Sequence, residues 1–203
     1  MPDYSYEQNA KAKGFQFVCG VDEAGRGPLA GPVCAAAVIL PEDCEIEGVN
    51  DSKKLSEKKR EQIFDVIKQK AVAYCVAFSS VEEIEEHNIL NATFLAMNRA
   101  IDGLSQKADY ALIDGNKVPT GIKIQAESIV KGDFLSASVA AASILAKVTR
   151  DRLMLEYHKK YPEYDFARHK GYGTKIHYEA IKQYGMCEIH RPSFLKKFYE
   201  KNS

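Results

Sequence analysis

Four acidic side chains stand where apolar segments of this sequence begin or end. Asp22 and Glu23 follow the apolar run that closes at Val21, Asp114 closes a second apolar run, and Asp133 precedes an Ala-rich segment. Neighbouring side chains on a regular strand point to opposite faces, so Asp22 and Glu23 reach one site only at a strand end or a bulge. Each acid also has an ordinary interpretation, as a solvated strand end, an Asp-Gly turn or a helix N-cap.

The chemistry that such a set of acids favours is the binding of a hard divalent cation. Carboxylate and water oxygens are the ligands that Mg²⁺ and Mn²⁺ prefer, and no His or Cys accompanies these acids at metal-ligand spacing. Two such cations, about 3.5–4 Å apart, activate a water molecule and stabilise the leaving oxygen of a phosphodiester. The acids in turn need the cations, because like charges at short range raise one another's pKa.

The elements that position these acids predict an α/β fold with a mixed sheet covered on both faces. Two strands joined by a Gly-rich turn come first, and later strands alternate with helices, a pattern typical of such a sheet. Ser56 is placed to cap the first long helix. The predicted strands are residues 14–24, 31–40, 72–79, 109–114 and 122–126. The predicted helices are residues 54–70 and 133–160, with one or two further helices within residues 80–103.

Composition sets limits on the class of protein. The chain has 203 residues, a balanced charge of 28 basic and 28 acidic residues, and no apolar stretch that approaches a membrane span. Its five Cys, with no CxxC spacing, predict free thiols in a reducing compartment. We therefore expect a cytoplasmic protein that does not bind membranes. Basic residues outnumber acidic ones in residues 51–70 and 168–203, which favours local phosphate-binding faces.

Eight segments, in order along nearly the whole chain, resemble bacterial ribonuclease HII. The segments DEAGRG and HKGYGT are specific individually, and the co-occurrence of all eight is far more so. They are GVDEAGRGPLAGPV at 20–33, DSKKL at 51–55, NATFLAM at 91–97, LIDGN at 112–116, KGD at 131–133, SVAAASILAKVTRD at 138–151, HKGYGT at 169–174 and IHRPSF at 189–194.

The resemblance implies a single ribonuclease H-like domain over residues 1–203. It implies a mixed five-stranded sheet flanked by helices, with a C-terminal helical extension over about residues 152–203. The implied activity is hydrolysis of the RNA strand of RNA–DNA hybrids, and incision 5′ to single ribonucleotides embedded in duplex DNA. The products would carry 3′-hydroxyl and 5′-phosphate ends. The four acids of the family, which hold two Mg²⁺ or Mn²⁺ ions, correspond to Asp22, Glu23, Asp114 and Asp133.

The resemblance also implies residues that read the substrate. Gly25, Arg26 and Gly27 would approach the sugar closely, where only the 2′-hydroxyl separates RNA from DNA. Tyr172 would stack on the sugar that follows the ribonucleotide. On residue type alone, the glycines are a tight turn, Arg26 pairs with an acid, and Tyr172 is a loop aromatic. Further candidate phosphate contacts, which on residue type alone are surface charges, are Lys53, Lys54, Lys147, Lys170 and Arg191.

Other polar residues are predicted to be structural. Asp151 lies inside a predicted helix, where a nearby Arg would pair with it. The histidines without metal-ligand spacing are interpreted as structural, and they are His169, His177 and His190. No coiled-coil or interface pattern occurs, so a monomer is expected.

Three alternatives stay open. Ribonuclease HIII shares the fold and prefers long hybrids, but its chains usually carry an additional N-terminal domain, for which the 21 residues before Asp22 are too few. A nucleic-acid-binding module without catalysis has no use for four acids, since acids repel phosphates unless cations intervene. A phosphate-transferring enzyme such as a nucleotidase remains, although the sequence has no GxxxxGK[ST] loop.

Overall fold

Five strands form one mixed sheet in the computed structural model, which describes residues 2–42, 44–49 and 55–202. The strand order is β3-β2-β1-β4-β5, with β1–β2 and β2–β3 antiparallel and β1–β4 and β4–β5 parallel. The mixed five-stranded sheet expected from the sequence is therefore confirmed. The strands are β1 (Val18–Ala24), β2 (Val33–Ile39), β3 (Ala73–Ser79), β4 (Tyr110–Asp114) and β5 (Gln125–Ile129).

Helices cover both faces of this sheet and form the C-terminal part of the chain. A single 3-10 turn, Pro162–Tyr164, separates the longest helix from the helices that follow it. The helices are α1 (Ser5–Ala12), α2 (Glu57–Lys70), α3 (Val81–Asp102), α4 (Gly132–Leu135), α5 (Ala137–Lys160), α6 (Phe166–His169), α7 (Lys175–Tyr184) and α8 (Pro192–Asn202).

Strand β2 is buried on both faces, which explains its unbroken apolar sequence VCAAAVI. Its side chains alternate between two cores: Ala35 and Ala37 pack with α3, whereas Cys34, Ala36 and Val38 pack with α2 and α5. The burial of small side chains lets the helices approach the sheet closely.

The approach of α5 to β1 is closest at Gly20. A Cβ atom at Gly20 would lie 2.1 Å from the carbonyl carbon of Ser138 and 2.2 Å from the backbone nitrogen of Val139. No side chain fits there, so the glycine fixes the height of α5 above the strand that carries the first two acids.

A third core joins the loop after β1 to the C-terminal helices. Leu29 and Ala30 of that loop are buried against Met154 of α5, Phe166 of α6 and Ile181 of α7. The loop that contains the Gly-Arg-Gly segment is therefore held between the sheet and the C-terminal part of the chain.

Several element boundaries differ from the sequence prediction. The strand expected at 122–126 lies at Gln125–Ile129. The helix expected from Asp133 is broken at Ser136, whose extended backbone (φ −109°, ψ 131°) separates α4 from α5 and whose hydroxyl accepts the Val139 N–H. The break occurs because a serine in this conformation caps a new helix more favourably than it continues an old one.

Two expectations about the whole chain can be compared with the described ranges. All five cysteines are free thiols, as predicted. Within residues 2–42, 44–49 and 55–202, no helix is both long and apolar enough to cross a membrane.

Candidate active site

The parallel pairing of β1 with β4 brings the first and third acids to the same edge of the sheet. The register matches Val21 with Ile113, so Asp22 and Asp114 follow at neighbouring positions where the two strands end. Carboxyl ends of parallel strands are a common location for chemistry in α/β folds. The adjacency of these two acids therefore follows from the register alone.

Asp22 is a buried acid, with only 5% of its surface exposed. Its Oδ1 accepts the Glu23 backbone N–H at 2.7 Å, and Ser143 of α5 forms a hydrogen bond with its side chain. Burial raises the pKa of Asp22 well above its ordinary value, and the nearby charges of Glu23 and Asp114 raise it further. The site therefore favours a compensating positive charge beside this carboxylate.

Glu23 lies at the same strand end and forms an ion pair with Arg26. The Arg26 Nη1 donates to Glu23 Oε1 at 3.2 Å. Burial raises the pKa of Glu23, the Arg26 charge opposes that shift, and Asp114 adds to it. Glu23 is therefore the acid that pairs with Arg26, as predicted from residue type alone.

Asp133 meets Asp114 through its backbone. The Asp133 N–H donates to Asp114 Oδ1 at 3.4 Å, and a Cβ atom on Gly132 would lie 3.3 Å from that same oxygen. Asp133 is buried and sits inside α4, whose N-cap position is Lys131 with a left-handed backbone (φ 60°). The interpretation of Asp133 as a helix N-cap is therefore wrong.

The four acids fit a hard cation by charge and donor type. In the described part of the chain, however, no three His, Cys, Asp or Glu side chains are gathered closely enough to hold a metal ion by themselves. Mg²⁺ commonly takes only one or two carboxylates and completes its shell with water and substrate phosphate oxygens. The raised pKa values of Asp22 and Glu23 fit such partly supplied coordination, because repelling carboxylates are stabilised by a cation between them.

The Gly25–Arg26–Gly27 segment turns the chain directly after β1. Gly25 has a left-handed backbone (φ 98°), and a Cβ atom there would lie 2.0 Å from Arg150 Nε. At Gly27 the nearest atom to an added Cβ is Tyr172 Cε1, at 3.7 Å. The first glycine is thus required by the fold, whereas the second faces the ring of Tyr172 with space beside it.

Tyr172 is exposed over 45% of its surface, in a loop that is fastened to the Gly-Arg-Gly loop. The Leu29 N–H donates to the Gly171 carbonyl at 2.8 Å, and a Cβ atom on Gly171 would lie 2.7 Å from the Ala30 carbonyl oxygen. The two segments that the sequence singled out for substrate reading therefore form one surface.

The three histidines form a buried cluster beneath Tyr172, in which His177 and His190 are hydrogen-bonded to each other. The Cys187 N–H donates to His190 Nδ1, so His190 Nε2–H donates to His177 Nε2 at 3.0 Å, and His177 Nδ1–H donates to the Tyr172 carbonyl at 2.9 Å. His169 stacks on His177 with ring centroids 4.4 Å apart. Their partners fit the structural role predicted from the sequence.

Three of the side chains predicted to contact phosphate instead bind groups within the protein. Lys147 Nζ lies 2.6 Å from both carboxylate oxygens of Asp151, so the partner of Asp151 is this lysine and the expected Arg is wrong. Lys170 Nζ donates to the Ala167 carbonyl. Arg191 is fully buried, so its interpretation as a surface charge or phosphate contact is wrong. Lys53 and Lys54 lie outside the described residues.

Sequence reasoning missed the residues that support the site. Ser143 is an ordinary serine in an Ala-rich helix, and nothing in its surroundings marks it as a partner of Asp22. Arg150 and Arg191 carry no sequence signal of burial, since arginine is seldom fully buried.

The sheet topology and the edge that gathers the acids define the ribonuclease H-like class of fold. The crystal structure of ribonuclease H2 from Pyrococcus horikoshii OT3 superposes with a TM-score of 0.76 and 30% sequence identity, over 92% of this chain and 98% of that one.

Sequence comparison narrows the class. The ribonuclease HII family model matches residues 19–197. Ribonuclease HII of Clostridioides difficile is 57% identical over 94% of this chain and 74% of its own, and that of Endomicrobium trichonymphae is 58% identical over 94% and 91%. The chain belongs to the ribonuclease HII family, and is a nuclease of the ribonuclease H type.

Proposed function

We propose that this chain hydrolyses the RNA strand of RNA–DNA hybrids and incises 5′ to single ribonucleotides embedded in duplex DNA. The products carry 3′-hydroxyl and 5′-phosphate ends, and the cofactors are two divalent cations, Mg²⁺ or Mn²⁺. The observation that carries the proposal is the position of Asp22 and Asp114 at one sheet edge, next to a glycine loop that contacts Tyr172.

The four acids hold the cations in this proposal. Asp22, Glu23, Asp114 and Asp133 supply only oxygen donors, and the raised pKa values of the first two favour bound positive charge. When bound, such cations supply Lewis-acid activation of water and charge stabilisation at the departing 3′ oxygen. Ser143 and the Glu23 backbone N–H orient the Asp22 carboxylate, and the Asp133 N–H orients that of Asp114.

In this proposal, the surface formed by the Gly25–Arg26–Gly27 loop and the loop of Tyr172 recognises the ribonucleotide. A glycine at position 27 leaves room for a sugar against the backbone, where a 2′-hydroxyl finds polar main-chain atoms. The exposed ring of Tyr172 is free to stack on the neighbouring sugar. Lys53 and Lys147 are proposed as weaker phosphate contacts, Lys147 only after it leaves Asp151.

The test uses three labelled duplexes: DNA with one ribonucleotide, all-DNA, and a long RNA–DNA hybrid. Each is incubated with the protein in Mg²⁺, in Mn²⁺ and in chelator, and the cut site is mapped. A metal-dependent nick immediately 5′ to the ribonucleotide, absent from all-DNA, supports the proposal. Cleavage of the long hybrid alone contradicts the single-ribonucleotide part and favours a specificity like that of ribonuclease HIII.

Substitutions separate catalysis from binding. Asp22→Asn and Asp114→Asn are expected to abolish cleavage while the protein still binds the duplex. Asp102→Asn is the matched control, because Asp102 is an exposed acid at the C-terminal end of α3, where it pairs with Lys123 and lies away from the sheet edge. If the unsubstituted protein binds the duplexes but cleaves none of them, the hypothesis of a nucleic-acid-binding module without catalysis is favoured instead.

The remaining parts of the proposal concern the state of the protein in the cell. We expect a monomer that acts in the cytoplasm on nucleic acid. Light scattering at micromolar concentration tests the first point, and fractionation of cells tests the second.

A further inference from the structure

One buried arginine, Arg191, donates all of its hydrogen bonds to a single loop. Arg191 is 0% exposed, and each of its five N–H groups has a partner. The Nε donates to Gly31 O at 2.9 Å, Nη1 to Arg26 O at 3.0 Å and Pro28 O at 2.8 Å, and Nη2 to Gly25 O and Gly31 O at 2.7 Å each. All four acceptors are main-chain carbonyls of residues 25–31.

This arrangement turns the backbone of the loop in a defined direction. A trans peptide unit places its C=O and N–H on opposite sides. With the carbonyls of Gly25 and Arg26 bound to the buried guanidinium, the N–H groups of Arg26 and Gly27 point to the opposite side, away from Arg191. The Arg191 guanidinium therefore sets the direction in which the main-chain N–H groups point in the segment that follows β1.

The burial of Arg191 marks it as an organising group. A buried guanidinium is expensive to desolvate, and burial together with the charge of Arg150 lowers the pKa of Arg191 to about 9. Its hydrogen bonds go to carbonyl dipoles, and it also lies 5.1 Å from the Phe194 ring centroid. Glu85, which accepts the Ser193 N–H at the start of α8, raises the pKa of Arg191 from nearby.

A second arginine fastens the other half of the loop. Arg150 donates to Pro32 O at 3.1 Å, to Ala30 O at 3.1 Å and to Lys170 O at 3.0 Å. The last of these bonds reaches the segment that carries Tyr172. Arg191 thus holds residues 25–31, and Arg150 joins that loop to its neighbour.

We propose that Arg191 is a positioning residue that fixes the Gly25–Arg26–Gly27 loop in the conformation that distinguishes a ribonucleotide from a deoxyribonucleotide. This inference rests on the proposed function of the loop as the ribonucleotide reader. Lysine cannot replace the arginine, because an ammonium group is a single point with three donors and cannot span four carbonyls.

The experiment compares Arg191→Lys, which keeps the charge, and Arg191→Gln with the unsubstituted protein. Ile181→Val is the control, because it loosens the same C-terminal core without removing a donor. Hydrogen–deuterium exchange reports on residues 25–31, with residues 33–39 of β2 as the internal reference. The second readout is the ratio of dissociation constants for all-DNA and single-ribonucleotide duplexes, measured in an Asp114→Asn background to prevent cleavage.

The expected result is at least tenfold faster exchange in residues 25–31 of the Arg191 variants, with β2 unchanged, and a tenfold or larger loss of the preference for the ribonucleotide. Ile181→Val keeps both. Unchanged exchange in residues 25–31, or faster exchange with the preference intact, overturns the inference. A protein that has no preference before substitution contradicts the proposed function instead, and the exchange result then still decides whether Arg191 holds the loop.

Discussion

The histidine cluster beneath Tyr172 makes the stability of this protein depend on pH. Burial lowers the pKa of His177 and of His190 from 6.5 to about 4, and each ring already uses both nitrogens in hydrogen bonds. A proton on either ring would put a second N–H against a donor, either in the His177–His190 bond or at the Cys187 N–H. The folded state therefore resists protonation that the unfolded state accepts freely.

The sign and size follow from proton linkage. Between pH 6.5 and 4 the unfolded chain binds more protons than the folded one, so stability is full above pH 6.5 and falls as the pH drops towards 4. At pH 5 an imidazole with a pKa of 6.5 is almost fully protonated when unfolded, whereas one with a pKa of about 4 is mostly neutral. Each of the two histidines then reduces the free energy of unfolding by about 2 kcal/mol, and both by about 4 kcal/mol.

The perturbation is His190→Gln, since a glutamine can accept the Cys187 N–H and donate to His177 while it carries no titrating group. Urea unfolding at pH 7, 6 and 5 and constant ionic strength gives the free energy of unfolding. The variant should lose about 2 kcal/mol less than the unsubstituted protein between pH 7 and pH 5. His87→Gln, at an exposed histidine, is the control. Equal losses in His190→Gln and the unsubstituted protein would refute the reasoning.

Three further predictions concern the site itself. Gly25→Ala should destabilise the protein by about 1–3 kcal/mol, because the φ of 98° and the approach to Arg150 exclude a side chain. Gly27→Ala should keep the melting temperature of the unsubstituted protein yet lower cleavage at a single ribonucleotide. Thermal melting and nicking assays distinguish the two variants. Asp22→Asn should abolish cleavage and, in chelator, raise the melting temperature, because it removes a buried charge that Glu23 and Asp114 repel; a lower melting temperature would contradict this. Mg²⁺ should raise the melting temperature of the unsubstituted protein in a concentration-dependent way, and Asp114→Asn should reduce that shift; a shift unchanged by the substitution would place the ion elsewhere.

What the sequence could predict was set by periodicity and by strand ends. The apolar runs before Asp22 and Asp114 are long enough to locate both strands. The parallel pairing of β1 with β4, which the sequence patterns do not predict, is what brings the two acids together. The helix start at Ser136 was missed because an Ala-rich segment favours a helix on either side of it, and only the local backbone reveals the break. Lys147 and Asp151 are one helical turn apart, so their pairing was available from spacing.

The buried arginines were beyond sequence reasoning for a physical reason. Arginine is charged, and the expectation that charges lie at the surface fails only where enough acceptors converge on a single guanidinium. The acceptors of Arg191 are backbone carbonyls of a loop 160 residues or more earlier in the chain, and backbone acceptors leave no trace in residue type. Such a contact becomes visible only when the fold has brought the two segments together.

Two different parts of the structure hold the acids and the glycine loop of this site in place. The acids repel one another, so they need a frame that cannot relax, and they lie at the ends of β1 and β4 under the close packing of α5 at Gly20. The glycine loop has no regular secondary structure to hold it, and Arg191 supplies the missing hydrogen-bond partners for its carbonyls. Because β1 runs directly into that loop and Arg26 pairs with Glu23, we expect a change in the loop's anchoring to reach Glu23. In the proposed function, recognition and chemistry therefore share one continuous segment of chain.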